Sequence, residues 1–296
     1  MSAMRIFDPR GLAVIAAIVL ACAGVARADD KPKFRSATEA YRIGLKAAGS
    51  GAYERALAAL TFAADQGILG AELKLAKMYQ LGQGVDQNDA KAFRYYEQIA
   101  DRFAEISPRH PIARYVSQAF IELGSYYRTG VVELKIEPNF PRAIGLYRHA
   151  ASYLGDPDAQ FELAKMYLAG EGGAVNARIA VNWLANASKK QHAASQALLG
   201  ELLWRGAKGV RRQPLKGLAL MDLARSSASG TNDAVWIGEL YERAAAQARP
   251  EEREQAVRLT TRWRGDAPGQ VELSNIQSSG DSASEGDGEA AGGKAR

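Results

Sequence analysis

The chain has almost no sulfur chemistry to draw on. It has one cysteine, Cys22, in 296 residues, and that cysteine sits inside an amino-terminal apolar run. Residues beyond it therefore hold no thiol and cannot be stapled by a disulfide. Histidine is nearly as scarce: His110, His149 and His192 are far apart, and none has a second histidine or a cysteine at metal-ligand spacing. No serine stands in a G-x-S-x-G setting, and Gly170-Glu171-Gly172-Gly173 does not match a phosphate loop. Charge of one sign is not in large excess either. The formal net charge is +5, with no Lys/Arg cluster interleaved with aromatics of the kind that marks nucleic-acid binding. These absences predict a chain that is not an enzyme and takes no cofactor, no metal and no nucleic acid.

Long apolar runs are missing except at the start. Residues 11–24 are almost all Ala, Val, Ile and Leu and follow Arg5 and Arg10. That run is shorter than the roughly 20 residues a transmembrane helix needs. It ends at Ala26-Arg27-Ala28, an A-x-A cleavage pattern followed by Asp29-Asp30-Lys31-Pro32. The segment 1–28 is expected to be a secretory signal peptide cut after Ala28, which places the mature chain in the periplasm. The alternatives are an uncleaved anchor facing the periplasm, or lipid attachment at Cys22. Residues 29–38 read as a linker.

What the sequence has in quantity is self-similarity. "LAKMY" occurs at Leu75 and again at Leu163, each time with a glycine seven residues after the leucine. Two degenerate copies begin at Leu123 and Leu199, so the closing glycines are Gly82, Gly130, Gly170 and Gly206. Leu75, Tyr79, Leu123, Tyr127, Leu163, Tyr167 and Leu199 share one helical stripe, with Ala71, Ala119, Ala159 or Ser195 four residues before each leucine. A second stripe follows each first one, opening on Ala92, Ala143, Ala180 and, more weakly, Gly217, with large side chains such as Trp183 three residues on. Each unit is thus a pair of helices around a glycine-bearing turn. Small residues let the two backbones approach, and neither helix buries its face until the next pair stacks on it. Glycine at the end of the first helix tolerates positive φ, and polar residues at 86–89 and at Asn176 can cap the second helix. Two connections are expanded, Asp101 to Ser117 and Val131 to Pro141. An earlier partial pair covers residues 41–64.

Leu-Ala-x-x-Tyr-x-x-Gly-x-Gly-Val, a short polar turn and Lys-Ala-x-x-x-Tyr/Trp resemble the Sel1-like repeat, a relative of the tetratricopeptide repeat. The resemblance covers about residues 41–228 and implies an all-α, right-handed solenoid of stacked helix pairs. With the signal-like start, the expanded second unit and "AQFELAKMYLAGEGG", the chain further resembles the family of periplasmic negative regulators of exopolysaccharide production in rhizobia. That resemblance implies binding to the periplasmic domain of a membrane sensor histidine kinase, and repression of a two-component system controlling exopolysaccharide, motility and envelope genes. A scaffold for polysaccharide or peptidoglycan enzymes is the other class to weigh.

Pro250 opens "PEEREQAVRLTTRW", with acidic residues in its first turn and Ala256, Leu259, Thr260 and Trp263 on one stripe, the pattern of a helix capping the solenoid end. The repeat domain is expected over 39–264. Residues 265–296, dominated by Gly, Ser, Ala and acids, are expected to be a disordered tail. Contact residues for a protein partner are sought on the first helices, off the packing stripe, because related repeats build their concave face there. They are Lys74, Lys77 and Gln80; Glu122, Ser125 and Arg128; Glu162 and Lys165; Glu201 and Arg205. The apolar loop from Val131 to Phe140 is a second candidate, unless it folds back onto the solenoid.

Overall fold

The computed structural model describes residues 34–265. The expected signal peptide, with Ala26 and Ala28, lies outside those residues, as does the expected tail apart from Gly265. Within them the chain is all-helical, with twelve α-helices and two isolated antiparallel bridges. The helices pair in sequence. They are α1 (Ala37–Gly49) with α2 (Tyr53–Asp65), α3 (Leu69–Leu81) with α4 (Asp89–Arg102), and α5 (Ala113–Thr129) with α6 (Phe140–Arg148). Then follow α7 (Pro157–Ala169) with α8 (Ala177–Lys189), α9 (Ala193–Arg205) with α10 (Pro214–Ser227), and finally α11 (Ala234–Gln247) and α12 (Pro250–Gly265).

The local chemistry explains the boundaries. Ser36 caps α1 by accepting the Glu39 N–H, so the helix starts at Ala37, two residues before the expected start of the domain. Helices α3 and α7 stop at Gly82 and Gly170, both left-handed. Gly130 and Gly206 also have positive φ but with ψ of 168° and 163°, a region open essentially to glycine alone. They lead into small hairpins bridged at Val131–Ile136 and Ala207–Val210. All four turns close alike despite these two geometries. The N–H of Asn88, Asn139, Asn176 and Gln213 donates to the carbonyl of Tyr79, Tyr127, Tyr167 and Leu203 at 2.6–2.8 Å. The three asparagine side chains then cap the second helices, accepting the N–H of Lys91, Arg142 and Ile179. Gln213 makes no such cap.

In the first five pairs the first helix packs on its own second helix, and each second helix from α2 to α10 packs on the following first helix. First helices also touch one another (α1 with α3, α3 with α5, α5 with α7, α9 with α11), so they line the inner face of the solenoid. The stripe residues fill the space between. Leu75, Ala92, Ala143, Leu163, Ala180 and Leu199 are fully buried and Leu123 nearly so, while Tyr79, Tyr127, Tyr167 and Trp183 pack half-buried against them. The loop from Val131 to Phe140 folds back: Val131 is buried, and Leu134, Ile136 and Phe140 pack on the central core, while Val132 is the one aliphatic side chain of the loop left exposed.

Two details differ from expectation, and a third fulfils it. The connection expected over 101–117 is shorter, because α4 runs to Arg102 and α5 starts at Ala113, directly after Pro111 and Ile112. Helix α6 continues as a π-turn, His149–Tyr153, whose Leu154 N–H reaches back five residues to the His149 carbonyl at 3.3 Å. The His149 ring lies against Phe120, with ring centres 4.4 Å apart, which settles it as a packing residue. Lastly, α12 caps the solenoid by packing across α10, not on its neighbour α11. Thr260 Oγ1 donates to the Ala219 carbonyl, Ala256 and Trp263 enter the terminal core, and Arg253 donates to the Ala245 and Ala248 carbonyls at the end of α11.

Candidate functional site

The polar residues of the inner face are organised by the stacking. Gln80 of α3 donates to Glu122 of α5 at 2.9 Å and accepts the Tyr96 hydroxyl at 3.0 Å. One helix on, Arg128 of α5 grips Glu171 with two bonds of 2.6 and 2.9 Å and reaches Glu162 of α7 at 3.3 Å. Lys165 closes on Glu162 at 2.7 Å. His192, ahead of α9, joins Asp158 of α7 through Nε2 at 2.9 Å, while its Nδ1 accepts the Ser195 N–H at the start of α9. With Nδ1 accepting that N–H, Nε2 is left to face the Asp158 carboxylate as donor. The hydrogen bond from His192 holds the Asp158 carboxyl below the usual carboxylate range. The guanidinium of Arg128 is correspondingly raised, by its hydrogen bonds to Glu171. Burial pushes the Tyr96, Tyr126 and Tyr147 hydroxyls well above their ordinary value, so they act as neutral donors.

The structure therefore changes the meaning of the predicted contact columns. Of the eight charged positions, only Lys77 and Arg205 are exposed, and Arg205 pairs with Glu201 along its own helix. Lys74 is half-buried and donates to Gln83. Ser125 is half-buried. Arg128, Glu162 and Lys165 are one inter-helix ion-pair network, because stacking brings charges of opposite sign on adjacent helices within reach. These residues tie neighbouring units together as much as they offer themselves to a partner.

Beside that ladder lies an open groove of about 780 Å³ across the beginnings of α5, α7, α9 and α11. Glu122 and Glu162 from the predicted columns line it. The sequence reading missed Arg114, Tyr115, Gln118, Asp158, Phe161, His192 and Asp233, which complete it. A signal for some of them existed: Gln118 and Tyr115 lie four and seven residues before Glu122, and Asp158 lies four before Glu162, so extending each stripe back by one or two turns reaches them. Carboxylates outnumber cations on the walls, and Tyr115 supplies a partly exposed aromatic. Trp236, also partly exposed, donates its indole N–H to Asp233. Such a surface can hold a protein segment through charge-assisted hydrogen bonds and aromatic contact. Among the described residues no group of three or more His, Cys, Asp or Glu is placed to hold a metal ion.

The Sel1 repeat family matches residues 70–102, 118–152, 157–192 and 193–228, the four helix pairs from α3 to α10. The exopolysaccharide production negative regulator of Rhizobium meliloti (strain 1021) is 34% identical over 220 residues, covering 74% of this chain and 79% of that protein. The protein of the same name from Rhizobium leguminosarum bv. viciae is 33% identical over 263 residues, covering 88% and 96%. The chain is a Sel1-repeat protein, of one family with these two. A crystal structure of a Sel1 repeat protein from Oxalobacter formigenes superposes with a TM-score of 0.56 at 21% identity, covering 77% of this chain and 88% of that one, which shows the shared solenoid. Sel1 repeats are interaction scaffolds, not an enzyme family, and this supports a protein partner. The names of the relatives support a regulatory role.

Proposed function

We propose that this Sel1-repeat chain is exported to the periplasm, is cut after Ala28, and there binds the periplasmic domain of a membrane sensor histidine kinase. Binding holds the kinase's two-component system down, and with it exopolysaccharide production and the motility and envelope genes under the same control. The observation carrying the reading is the inner-face groove: charged and aromatic side chains from four first helices converge in one open cleft, in a chain whose relatives are named as negative regulators. A groove built on rigid helices needs little ordering on binding, so a modest contact area can hold a partner.

Periplasmic cross-linking followed by mass spectrometry tests the partner. A sensor kinase in the cross-linked product supports the reading; a polysaccharide or wall enzyme in its place overturns it in favour of a scaffold. Deleting the gene should raise polysaccharide output and alter motility, and unchanged phenotypes would sink the repression. Amino-terminal sequencing of the exported protein should begin at Asp29. Gln118→Lys with Asp233→Lys, two groove positions outside the ion-pair ladder, should release the kinase while leaving the helical circular dichroism intact.

A further inference from the structure

The turns between first and second helices all lie on one edge of the solenoid, and they differ sharply in charge. The turn at 82–88 holds one aspartate and no cation, that at 130–139 two glutamates and one lysine, and that at 170–176 one glutamate, already gripped by Arg128. The turn at 206–213, "GAKGVRRQ", holds Lys208, Arg211 and Arg212, and no acidic residue occurs anywhere from Leu202 to Met221.

That turn is also built to a fixed shape. Ala207 and Val210 exchange backbone hydrogen bonds of 3.1 and 2.9 Å, Gly209 takes φ of +79°, and Val210 is buried beneath. Arg212 is spent on structure, with Nε donating to the Trp204 carbonyl at 2.9 Å and the guanidinium over the Trp204 ring. Lys208 and Arg211 stay exposed, and Arg178 of α8 lies beside Gly209. Among the described residues these three have no ion-pair partner. In the adjoining turn Val175 stands 66% exposed.

We infer that this hairpin edge, Lys208 and Arg211 with Arg178 and the protruding Val175, is a peripheral docking surface for an anionic lipid bilayer. The cations stand on a projecting edge outside the groove, so they suit a broad, laterally adaptable negative surface better than a shaped ligand. An exposed apolar side chain in the adjoining turn adds the second attraction that reversible membrane contact needs. Each cation near an anionic surface contributes roughly fivefold in affinity, and the effect fades as salt shortens the screening length. This inference stands on the hairpin and does not depend on the kinase reading.

The test is co-sedimentation of the full chain with vesicles of phosphatidylcholine alone, and of phosphatidylcholine with one third phosphatidylglycerol, at low and high salt. The protein should favour the anionic vesicles at low salt and lose that preference at high salt. Lys208→Glu with Arg211→Glu should weaken the preference at least roughly tenfold, with circular dichroism unchanged. Arg42→Glu with Lys46→Glu, the same charge change at the far end of the solenoid, should leave it in place. Equal preference in wild type and hairpin variant overturns the inference, as does no preference at all. Binding to soluble polygalacturonate but not to vesicles would assign the hairpin to an acidic polymer and overturn it too.

Discussion

Helices α5 and α6 and helices α9 and α10 occupy the same repeat positions, yet they are held together by different means. Between α9 and α10 the backbones themselves meet: a Cβ on Gly200 would stand 2.7 Å from the Gly217 carbonyl oxygen, and one on Gly217 would stand 2.6 Å from the Trp204 nitrogen. Between α5 and α6 the corresponding small residue, Gly124, faces a side chain, with the Tyr147 ring 2.9 Å from where its Cβ would be. Helix α5 is tied to its other neighbours by aromatic and polar links. Phe93 meets Tyr126 and Tyr127 edge-on, Tyr126 donates to Asp89, and Arg128 ties α5 to α7. The two pairs thus meet different demands, backbone against backbone in one and backbone against a buried ring in the other.

The largest effect expected from breaking this contrast is at Gly217. Gly217→Ala places a methyl against backbone that has no rotamer to relax into, and should cost about 3 kcal/mol in urea unfolding. Gly124→Ala should cost less, about 1 kcal/mol, since its methyl meets one side chain and not backbone, and alanine favours the helix. Equal losses at the two sites would abolish the distinction. Gly145→Ala, whose Cβ would meet nothing within 4 Å, should stabilise α6 slightly and serves as the control.

Next in size is Arg128→Met. Removing a half-buried guanidinium strips charge-assisted bonds from Glu171 and Glu162, and should lower stability by about 2 kcal/mol. Arg205→Met, at an exposed pair within one helix, should change it by less than about 0.5 kcal/mol. Denaturant midpoints of the two variants would separate a ladder that holds helices together from an ordinary surface pair. Caps follow. Asn139→Ala should cost about 1 kcal/mol by orphaning the Arg142 N–H, whereas Gln213→Asn should gain several tenths by giving α10 the cap its counterparts have.

The smallest effect concerns pH. The Asp158 carboxyl is held low in the folded chain, so its share of stability is complete above the ordinary carboxylate range and disappears as pH falls through the lowered value. Stability measured against Asp158→Asn should show a small wild-type advantage at neutral pH that vanishes in acid. An advantage that persisted in acid would show that the aspartate acts through packing alone.

Much of the architecture is written in the sequence because stacking repeats imposes the same requirement again and again. A leucine that must be buried, a small residue where backbones cross and a glycine that must take positive φ recur at fixed intervals, so Leu75, Ala92 and Gly82 could be read without coordinates. Helix α11 was not singled out, because it follows the last clear copy and repeats none of its marks. Of the groove, Glu122 and Glu162 were legible as off-stripe positions, and Tyr115 by extending one stripe back, but His192 and Asp233 were not. They belong to different helices, and what brings them together is the angle at which one pair stacks on the next.

The sequence alone determined that this is an α-helical solenoid of Sel1 type, because periodicity is a local property that survives without three-dimensional context. The tertiary structure decided which polar side chains remain for a partner. Whether Arg128 is a free charge or a strut depends on Glu162 and Glu171, residues 34 and 43 positions away in the chain. Only the stacking of α5 on α7 sets that distance.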